Sequence, residues 1–150
     1  MSDSRKPAVI LMAEDDEDDV MLAEDAFKEA RLSNRFICVP NGAKLLEYLR
    51  HEGEYADREQ YPEPSIILLD LNMPILDGRK ALQIIKEDAA LCRIPVVVLT
   101  TSQAEEDILR SYQLGVNSYI RKPVTFEGLV NVVRVLGSYW FEIVELPHQA

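Results

Sequence analysis

Short apolar runs alternate with helical patterns along the chain. The runs Ala8–Ala13, 36–39, 65–69, 94–99 and 117–120 are predicted to be strands. After each run, apolar residues recur at intervals of three and four, which is typical of helices with one buried face. The third run is apolar on both faces, as expected of a central parallel strand. Five strands that each precede a helix predict an α/β protein whose parallel sheet is covered on both sides.

The stretch before the third predicted strand departs from this pattern. Asn41 is expected to cap the second predicted helix, because an asparagine side chain can accept a hydrogen bond from the first turn. Residues 53–64 are polar and include Pro62 and Pro64. We therefore expect an exposed connection there.

The last predicted helix starts near residue 125 and extends beyond what five strands can cover. Its apolar residues continue at helical spacing as far as Val144. We therefore expect a core at about 8–137 and a C-terminal extension at about 138–150. The chain shows no internal repeat and no low-complexity tract, which predicts one domain over residues 1–150.

The charge of the chain limits its partners. The formal net charge is −10, whereas a protein that binds nucleic acid or an anionic membrane needs a basic surface, so we expect neither partner. No apolar run approaches the roughly 20 residues that span a bilayer. Residues 1–7 also lack the apolar stretch of a secretory signal, so a cytoplasmic location is expected. Cys38 and Cys92 are expected to be buried thiols and not a disulfide.

Polar side chains follow four of the apolar runs on their carboxyl side. Glu14 and Asp15 follow the first run, Asp70 follows the third, Thr100 the fourth and Lys122 the fifth. In an open parallel sheet, ligands bind beyond the carboxyl ends of the strands. We therefore expect these side chains to meet at one edge of the sheet.

The three carboxylates of this group would repel one another in a small cleft. A hard divalent cation with oxygen ligands relieves that repulsion, and Mg²⁺ is the candidate. Asp70, held beside such a cation, can act as a nucleophile toward a phosphoryl group. Lys122 offers a positive charge and Thr100 a hydroxyl group to the phosphoryl oxygens. Together these residues predict an aspartyl-phosphate site.

The segments that hold these residues resemble the receiver domain of two-component response regulators. The resemblance covers roughly Val9 to Leu136 and is carried by Ala13-Glu14-Asp15, Leu69-Asp70-Leu71-Asn72-Met73-Pro74 with Asp77-Gly78, Val98-Leu99-Thr100-Thr101, and Ser118-Tyr119-Ile120-Arg121-Lys122-Pro123. It implies a flavodoxin-like (βα)5 fold with strand order 2-1-3-4-5. It also implies a signalling protein that accepts a phosphoryl group from a histidine kinase and catalyses only its own phosphotransfer and dephosphorylation.

The resemblance also implies a set of metal ligands. Mg²⁺ would be held by Asp15, Asp70, the backbone carbonyl of Asn72 and, mostly through water, Glu14. The acidic run continues to Asp19, so Asp16 is an alternative to Asp15 as a ligand. The other explanation of the run is that carboxylates at the start of a helix interact favourably with its dipole.

The same resemblance implies a switch. Asp70 would be the phosphoacceptor, Lys122 would pair with the phosphoryl group and Thr100 would bond to it. Tyr119 matches the aromatic residue that changes rotamer when the threonine moves, which would alter the surface of the fourth helix, fifth strand and fifth helix. The alternative is that Tyr119 is only a packed aromatic residue.

Two further features resemble small regulators that lack an output domain and pair with phytochrome-like histidine kinases. They are the polar insertion from Arg50 to Pro64 and the tail from Tyr139 to Pro147. We expect a homodimer built on the fourth helix, fifth strand and fifth helix, and extended by exposed apolar residues of the tail, namely Trp140, Phe141, Ile143 and Val144. The alternative is that the tail folds back on its own domain.

Three other classes of protein share parts of this pattern. A phosphatase of the haloacid-dehalogenase type needs a second aspartate two positions after the nucleophile, where this chain has Asn72. A nucleotide or flavin binder needs a Gly-rich turn after the first strand, and here that turn is acidic. A degenerate receiver that acts only as an interaction module would not need the full set of carboxylates, threonine and lysine.

Overall fold

The computed structural model describes residues 8–29, 34–71, 73, 76–100 and 118–121. Of these, residues 8, 34, 100 and 118–121 are described by their backbone alone. The fourth and fifth predicted helices and the C-terminal extension lie outside the described residues.

The described residues form an alternating series of strands and helices. The strands are β1 (Ala8–Ala13), β2 (Asn34–Val39), β3 (Ile66–Asp70), β4 (Val96–Thr100) and β5 (Ser118–Arg121), and the helices are α1 (Glu17–Glu29), α2 (Gly42–Arg50) and α3 (Gly78–Glu87). A short 3-10 helix, Gly53–Tyr55, follows α2. The strands therefore fall within two residues of the bounds predicted from the apolar runs.

The five strands form one parallel sheet in the order β2-β1-β3-β4-β5. This order and the flavodoxin-like architecture confirm the expectation from the resemblance. Ala13 of β1 is paired with Leu69 of β3, and Asp70 is paired with Leu99 of β4. The carboxyl ends of the three central strands therefore lie side by side.

Each face of the sheet carries its own apolar core. Leu11, Leu69 and Val98 pack with buried residues of α2 and α3 on one face. Ile10 and Leu68 belong to the cluster on the other face, which includes buried residues of α1. Neighbouring strand residues point to opposite faces, so the buried β3 fills both cores, as its continuous apolar sequence predicts.

Local capping fixes where α2 and α3 begin. The Asn41 side chain accepts a hydrogen bond of 2.9 Å from the backbone nitrogen of Lys44, which confirms the predicted cap of α2. Asp77 caps α3 in the same way, with bonds of 2.7 Å from Arg79 and 3.3 Å from Lys80. Each cap satisfies backbone N–H groups that the helix leaves without an internal partner.

The connection after α2 is less exposed than the sequence predicted. Only 7% of the surface of Tyr55 is exposed to solvent. Its ring centroid lies 5.3 Å from that of Tyr48 and 5.0 Å from that of Tyr61. The Tyr48 hydroxyl donates a hydrogen bond of 2.8 Å to the carbonyl of Pro62. The predicted exposed connection is confirmed for most of residues 53–64, but not for Tyr55, which packs with Tyr61 in a ring cluster against α2.

Candidate functional site

Three carboxylates meet at the carboxyl ends of β1 and β3. Glu14 and Asp15 directly follow β1, and Asp70 is the last residue of β3. Because these strands are paired, a carboxylate oxygen from each residue lies within 4.8 Å of the others. Glu14 and Asp70 are each only 2% exposed, while Asp15 is exposed.

This donor set fits a hard divalent cation. Carboxylates held so close together, two of them largely removed from water, repel one another unless a positive charge lies between them. Oxygen is the ligand atom that Mg²⁺ and similar hard cations prefer. The exposed Asp15 leaves one side of the group open to solvent, as a metal that keeps several water ligands requires.

Backbone contacts fix Glu14 in this group. Its backbone nitrogen donates a hydrogen bond of 3.0 Å to the carbonyl of Val39 at the end of β2. Its Oε2 accepts a bond of 3.3 Å from the backbone nitrogen of Asp16. The first bond holds the Glu14 backbone against the end of β2, and the second holds its carboxylate against the β1–α1 turn.

Asp16 caps the start of α1 with its side chain. Its Oδ1 accepts hydrogen bonds from the backbone nitrogens of Asp18 at 2.9 Å and Asp19 at 3.3 Å. Among the described residues, the carboxylate group that could hold a metal contains Asp15 and not Asp16. The dipole and capping explanation of the acidic run is thus favoured over the alternative ligand.

The backbone after Asp70 is held at both ends of the loop that leads to α3. The Leu71 nitrogen donates to the carbonyl of Leu99 at 3.2 Å. The Leu71 carbonyl accepts from the nitrogen of Gly78 at 3.0 Å. Asn72, whose carbonyl is the expected further ligand, lies outside the described residues.

Of the remaining predicted site residues, some are described by their backbone alone and the others lie outside the described residues. Thr100 ends β4, one position after the partner of Asp70, and Tyr119 lies in β5 opposite Val98. Their side chains are not described, so their switch roles stay predictions. Lys122, the predicted phosphoryl ligand, lies outside the described residues. The same is true of the predicted dimer residues, namely Trp140, Phe141, Ile143 and Val144.

Cys38 is a neighbour of the site that sequence reasoning did not connect to it. Its Sγ lies 3.7 Å from the carbonyl oxygen of Glu14. Both Cys38 and Cys92 are exposed residues without a disulfide, so the expectation of buried thiols is wrong. Cys38 lies on the edge strand β2, yet partial burial of its thiol, and then the nearby Glu14 carboxylate, raise its pKa to about 11. The thiol therefore stays protonated at neutral pH.

Comparison with known proteins decides the family. A family model of the response regulator receiver domain matches residues 10–134. The chain belongs to the response regulator receiver family. No helix of this receiver domain, within the residues that the structure describes, is long and apolar enough to cross a membrane.

Relatives of this receiver domain cover almost its whole length. The response regulator Rcp1 of Synechocystis sp. is 43% identical over 148 residues, which are 98% of this chain and 99% of Rcp1. The crystal structure of the phosphorylated cyanobacterial phytochrome response regulator RcpA has a TM-score of 0.77 at 40% identity, covering 91% of this chain and 95% of RcpA.

A third similar structure contains a metal. The Mn²⁺-bound form of Rcp1 has a TM-score of 0.76 at 41% identity and covers 91% of this chain and 96% of that protein. The receiver domain described here has its own acidic cluster at the sheet edge. A relative that binds a divalent cation agrees with the chemistry of that cluster.

Proposed function

We propose that this receiver domain accepts a phosphoryl group on Asp70, in a reaction that depends on Mg²⁺, from a sensor histidine kinase. The observation that carries the proposal is the grouping of Glu14, Asp15 and Asp70, whose carboxylate oxygens lie within 4.8 Å of one another. Two of these side chains are buried and one is exposed. An incoming phosphoryl group thus has an open side from which to approach the group.

Asp70 is proposed as the nucleophile because it ends the central strand and its backbone is held on both sides. One of its carboxylate oxygens forms a bond to phosphorus while the bond from phosphorus to the imidazole nitrogen of the donor breaks. The nitrogen keeps the electron pair and takes up a proton from solvent. Asp70 thereby becomes an acyl phosphate.

Mg²⁺ would be held by Asp15, Asp70, the carbonyl of Asn72 and, through water, Glu14, and when bound it would neutralise charge on the phosphoryl oxygens. Thr100 and Lys122 are proposed to contact the other phosphoryl oxygens. The position of Thr100 at the end of β4, next to the strand partner of Asp70, supports this role for Thr100.

The product of the proposed reaction is the phosphorylated protein itself, which acts as a signal. We propose that phosphorylation draws Thr100 toward Asp70 and lets Tyr119 change rotamer. The two residues lie on the adjacent strands β4 and β5. The surface formed by the fourth helix, β5 and the fifth helix would then change, and the population would shift toward the active form.

The proposed donor is a phytochrome-like kinase. The similar structure RcpA is a cyanobacterial phytochrome response regulator, and its likeness extends over 91% of this chain. A cytoplasmic location, and the absence of nucleic-acid and membrane partners, belong to the same proposal, since the net charge of −10 favours basic protein surfaces.

We also propose one receiver domain with a core at about 8–137 and an extension at about 138–150 that takes part in a homodimer. The support is the helical spacing of apolar residues that continues past the matched family region, which ends at residue 134. Trp140, Phe141, Ile143 and Val144 are the proposed interface residues.

The experiment that tests the function is intact-mass measurement after treatment with acetyl phosphate, with Mg²⁺ or with a chelator. The variants are wild type, Asp70→Asn and Asp25→Asn. Asp25 is a matched control because it is an exposed carboxylate on α1, outside the acidic cluster. Wild type and Asp25→Asn should gain one phosphoryl group only with Mg²⁺, and Asp70→Asn should gain none.

Two results would contradict the proposal. A phosphoryl group on Asp70→Asn would place the phosphoacceptor elsewhere. No mass gain on any variant would favour a receiver that acts only as an interaction module.

A further inference from the structure

The first residue of α2 touches the loop that follows Asp70. The backbone nitrogen of Gly42 donates a hydrogen bond of 3.1 Å to the carbonyl of Leu76. A β-carbon at Gly42 would overlap that carbonyl oxygen and would lie 3.1 Å from the Leu76 side chain. This close approach of two backbones needs a glycine at position 42.

The same loop is held at its other side by a second glycine. Gly78, the first residue of α3, donates to the carbonyl of Leu71, and a β-carbon there would overlap the carbonyl oxygen of Asp70. The segment between Asp70 and α3 therefore has backbone contacts with β4, with the start of α3 and, through Gly42, with the start of α2.

The Gly42 contact differs from the other two because it comes from an element that is not part of the β3–α3–β4 unit. The start of α2 is itself fixed, since the buried Asn41 side chain bonds to the Lys44 nitrogen. The contact between the start of α2 and Leu76 therefore limits where the backbone of the loop after Asp70 can lie. The loop in question directly follows Asp70, one of the proposed metal ligands.

We propose that Gly42 is a positioning residue of the metal site, which acts by holding the loop between Asp70 and α3 through the Leu76 carbonyl. The inference rests on the proposed function, because it assumes that the acidic cluster binds a divalent cation. A side chain at position 42 would push Leu76 away and displace the loop. Residues that orient metal ligands commonly affect metal affinity although they do not touch the metal.

Gly53 offers a matched control for a Gly→Ala substitution. It lies beyond the other end of α2 with a φ of +57°, so a β-carbon there is disfavoured as well. The contact that its β-carbon would make is with the Glu47 side chain, 3.2 Å away. Gly53→Ala should therefore lower stability without touching the loop after Asp70.

The test is Mn²⁺ binding, measured by electron paramagnetic resonance at a temperature where circular dichroism shows each variant to be folded. Gly42→Ala should bind Mn²⁺ about tenfold more weakly than wild type, or weaker still, and Gly53→Ala should stay within about twofold. Wild-type affinity in Gly42→Ala would overturn the proposal. So would equal losses in both variants, since these would show a general effect of lower stability.

A measurement on the wild-type protein covers the case in which Gly42→Ala does not fold. Coupling between two sites is reciprocal, so metal binding should in turn stabilise the Gly42–Leu76 hydrogen bond. Amide hydrogen exchange at Gly42 should become slower when Mn²⁺ or Mg²⁺ is added. Unchanged exchange at Gly42 in metal-bound protein would overturn the proposal. A wild-type protein that takes up no Mn²⁺ would instead overturn the proposed function on which the inference rests.

Discussion

A single oxygen of Asp16 accepts two backbone N–H groups at the start of α1. We predict that Asp16→Ala lowers the free energy of unfolding by about 1 kcal/mol, as the loss of an N-cap typically does. Asp16→Asn should lose less, because asparagine caps almost as well. Urea denaturation of the three proteins measures this effect.

Metal affinity separates the two explanations of Asp16. Asp16→Ala should bind Mg²⁺ like wild type in a calorimetric titration, whereas Asp15→Asn should bind it more weakly, because Asp15 belongs to the acidic cluster. Loss of metal binding in Asp16→Ala at a temperature where it is folded would show that Asp16 is a ligand after all.

His51 ends α2 in a conformation that favours glycine. Its φ of 56° and ψ of 48° are left-handed, and the bonds His51 N–Tyr48 O at 3.1 Å and Glu52 N–Glu47 O at 2.9 Å complete a Schellman motif. The buried Nδ1 of His51 also has no hydrogen-bond partner within the described part of the chain. The left-handed backbone lowers the stability of the folded state, because His51 carries a β-carbon.

We predict that His51→Gly is more stable than His51→Ala by about 1 kcal/mol, the usual cost of a β-carbon in this conformation. Both substitutions remove the imidazole, so their difference isolates the backbone effect. Chemical denaturation monitored by circular dichroism measures both. Equal stabilities of His51→Gly and His51→Ala would contradict a cost of the left-handed conformation at this position.

At the scale of residues, sequence reasoning succeeded where the cause is local. Glu14, Asp15 and Asp70 could be predicted because each stands at the end of an apolar run, and the sheet then brings the strand ends together. The contact between Gly42 and Leu76 could not, because it joins residues far apart in sequence and depends on the path of a loop.

At the scale of elements, the Tyr48 hydroxyl joins α2 to the far end of the connection that follows it. Tyr48 donates to the carbonyl of Pro62 at 2.8 Å, and burial raises the pKa of Tyr48 to about 12. We predict that Tyr48→Phe lowers stability by about 1 kcal/mol at pH 7, because the hydrogen bond is lost and the carbonyl is left unpaired. Tyr61→Phe, in the same ring cluster, is the control and should change stability less.

The pH dependence of this pair follows from the raised pKa. The unfolded state loses the tyrosine proton from its ordinary pKa of 10.0, whereas the folded state holds the proton until about 12. Wild type should therefore lose stability relative to Tyr48→Phe as the pH rises from 10 to 12. A constant difference between the two proteins across this range, in urea denaturation at each pH, would contradict the prediction.

The connection also shows why the burial of Tyr55 was not predicted. Tyr48 lies on α2, while Tyr55 and Tyr61 lie in the connection beyond the end of that helix. Pattern reasoning assigns buried positions from the period of a single helix or strand. The cluster forms instead because the chain turns back over α2, which brings the rings within 6 Å of one another.

At the scale of the whole molecule, a formal net charge of −10 and a cluster of carboxylates both favour binding of a cation. We predict that Mg²⁺ stabilises the folded protein by about 2.7 kcal/mol when its concentration is a hundred times the dissociation constant. Thermal unfolding with MgCl₂, compared with NaCl of equal ionic strength, measures this.

The same measurement on variants locates the effect. Asp25→Asn should keep the stabilisation by Mg²⁺, and Asp15→Asn should lose most of it. An equal gain in all three proteins would show that the cation acts through general screening of the negative charge.

The sequence pattern predicted the type of sheet but not the order of its strands. Alternating runs were enough to predict a parallel sheet, because parallel strands need helical crossovers. The order β2-β1-β3-β4-β5 came from the resemblance alone, since apolar runs carry no information about which strands are neighbours.

The connection between α2 and β3 is attached at the end of the sheet opposite the carboxylates. Arg35, near the amino end of β2, donates to the carbonyl of Gln60 at 2.6 Å and to that of Glu59 at 3.4 Å. The exposed turn from Asp57 to Gln60 is therefore anchored yet remote from the chemistry. For protein engineering, this turn is a suitable attachment point for a fluorophore or surface tether, because a label there would be held in place while leaving phosphorylation unobstructed.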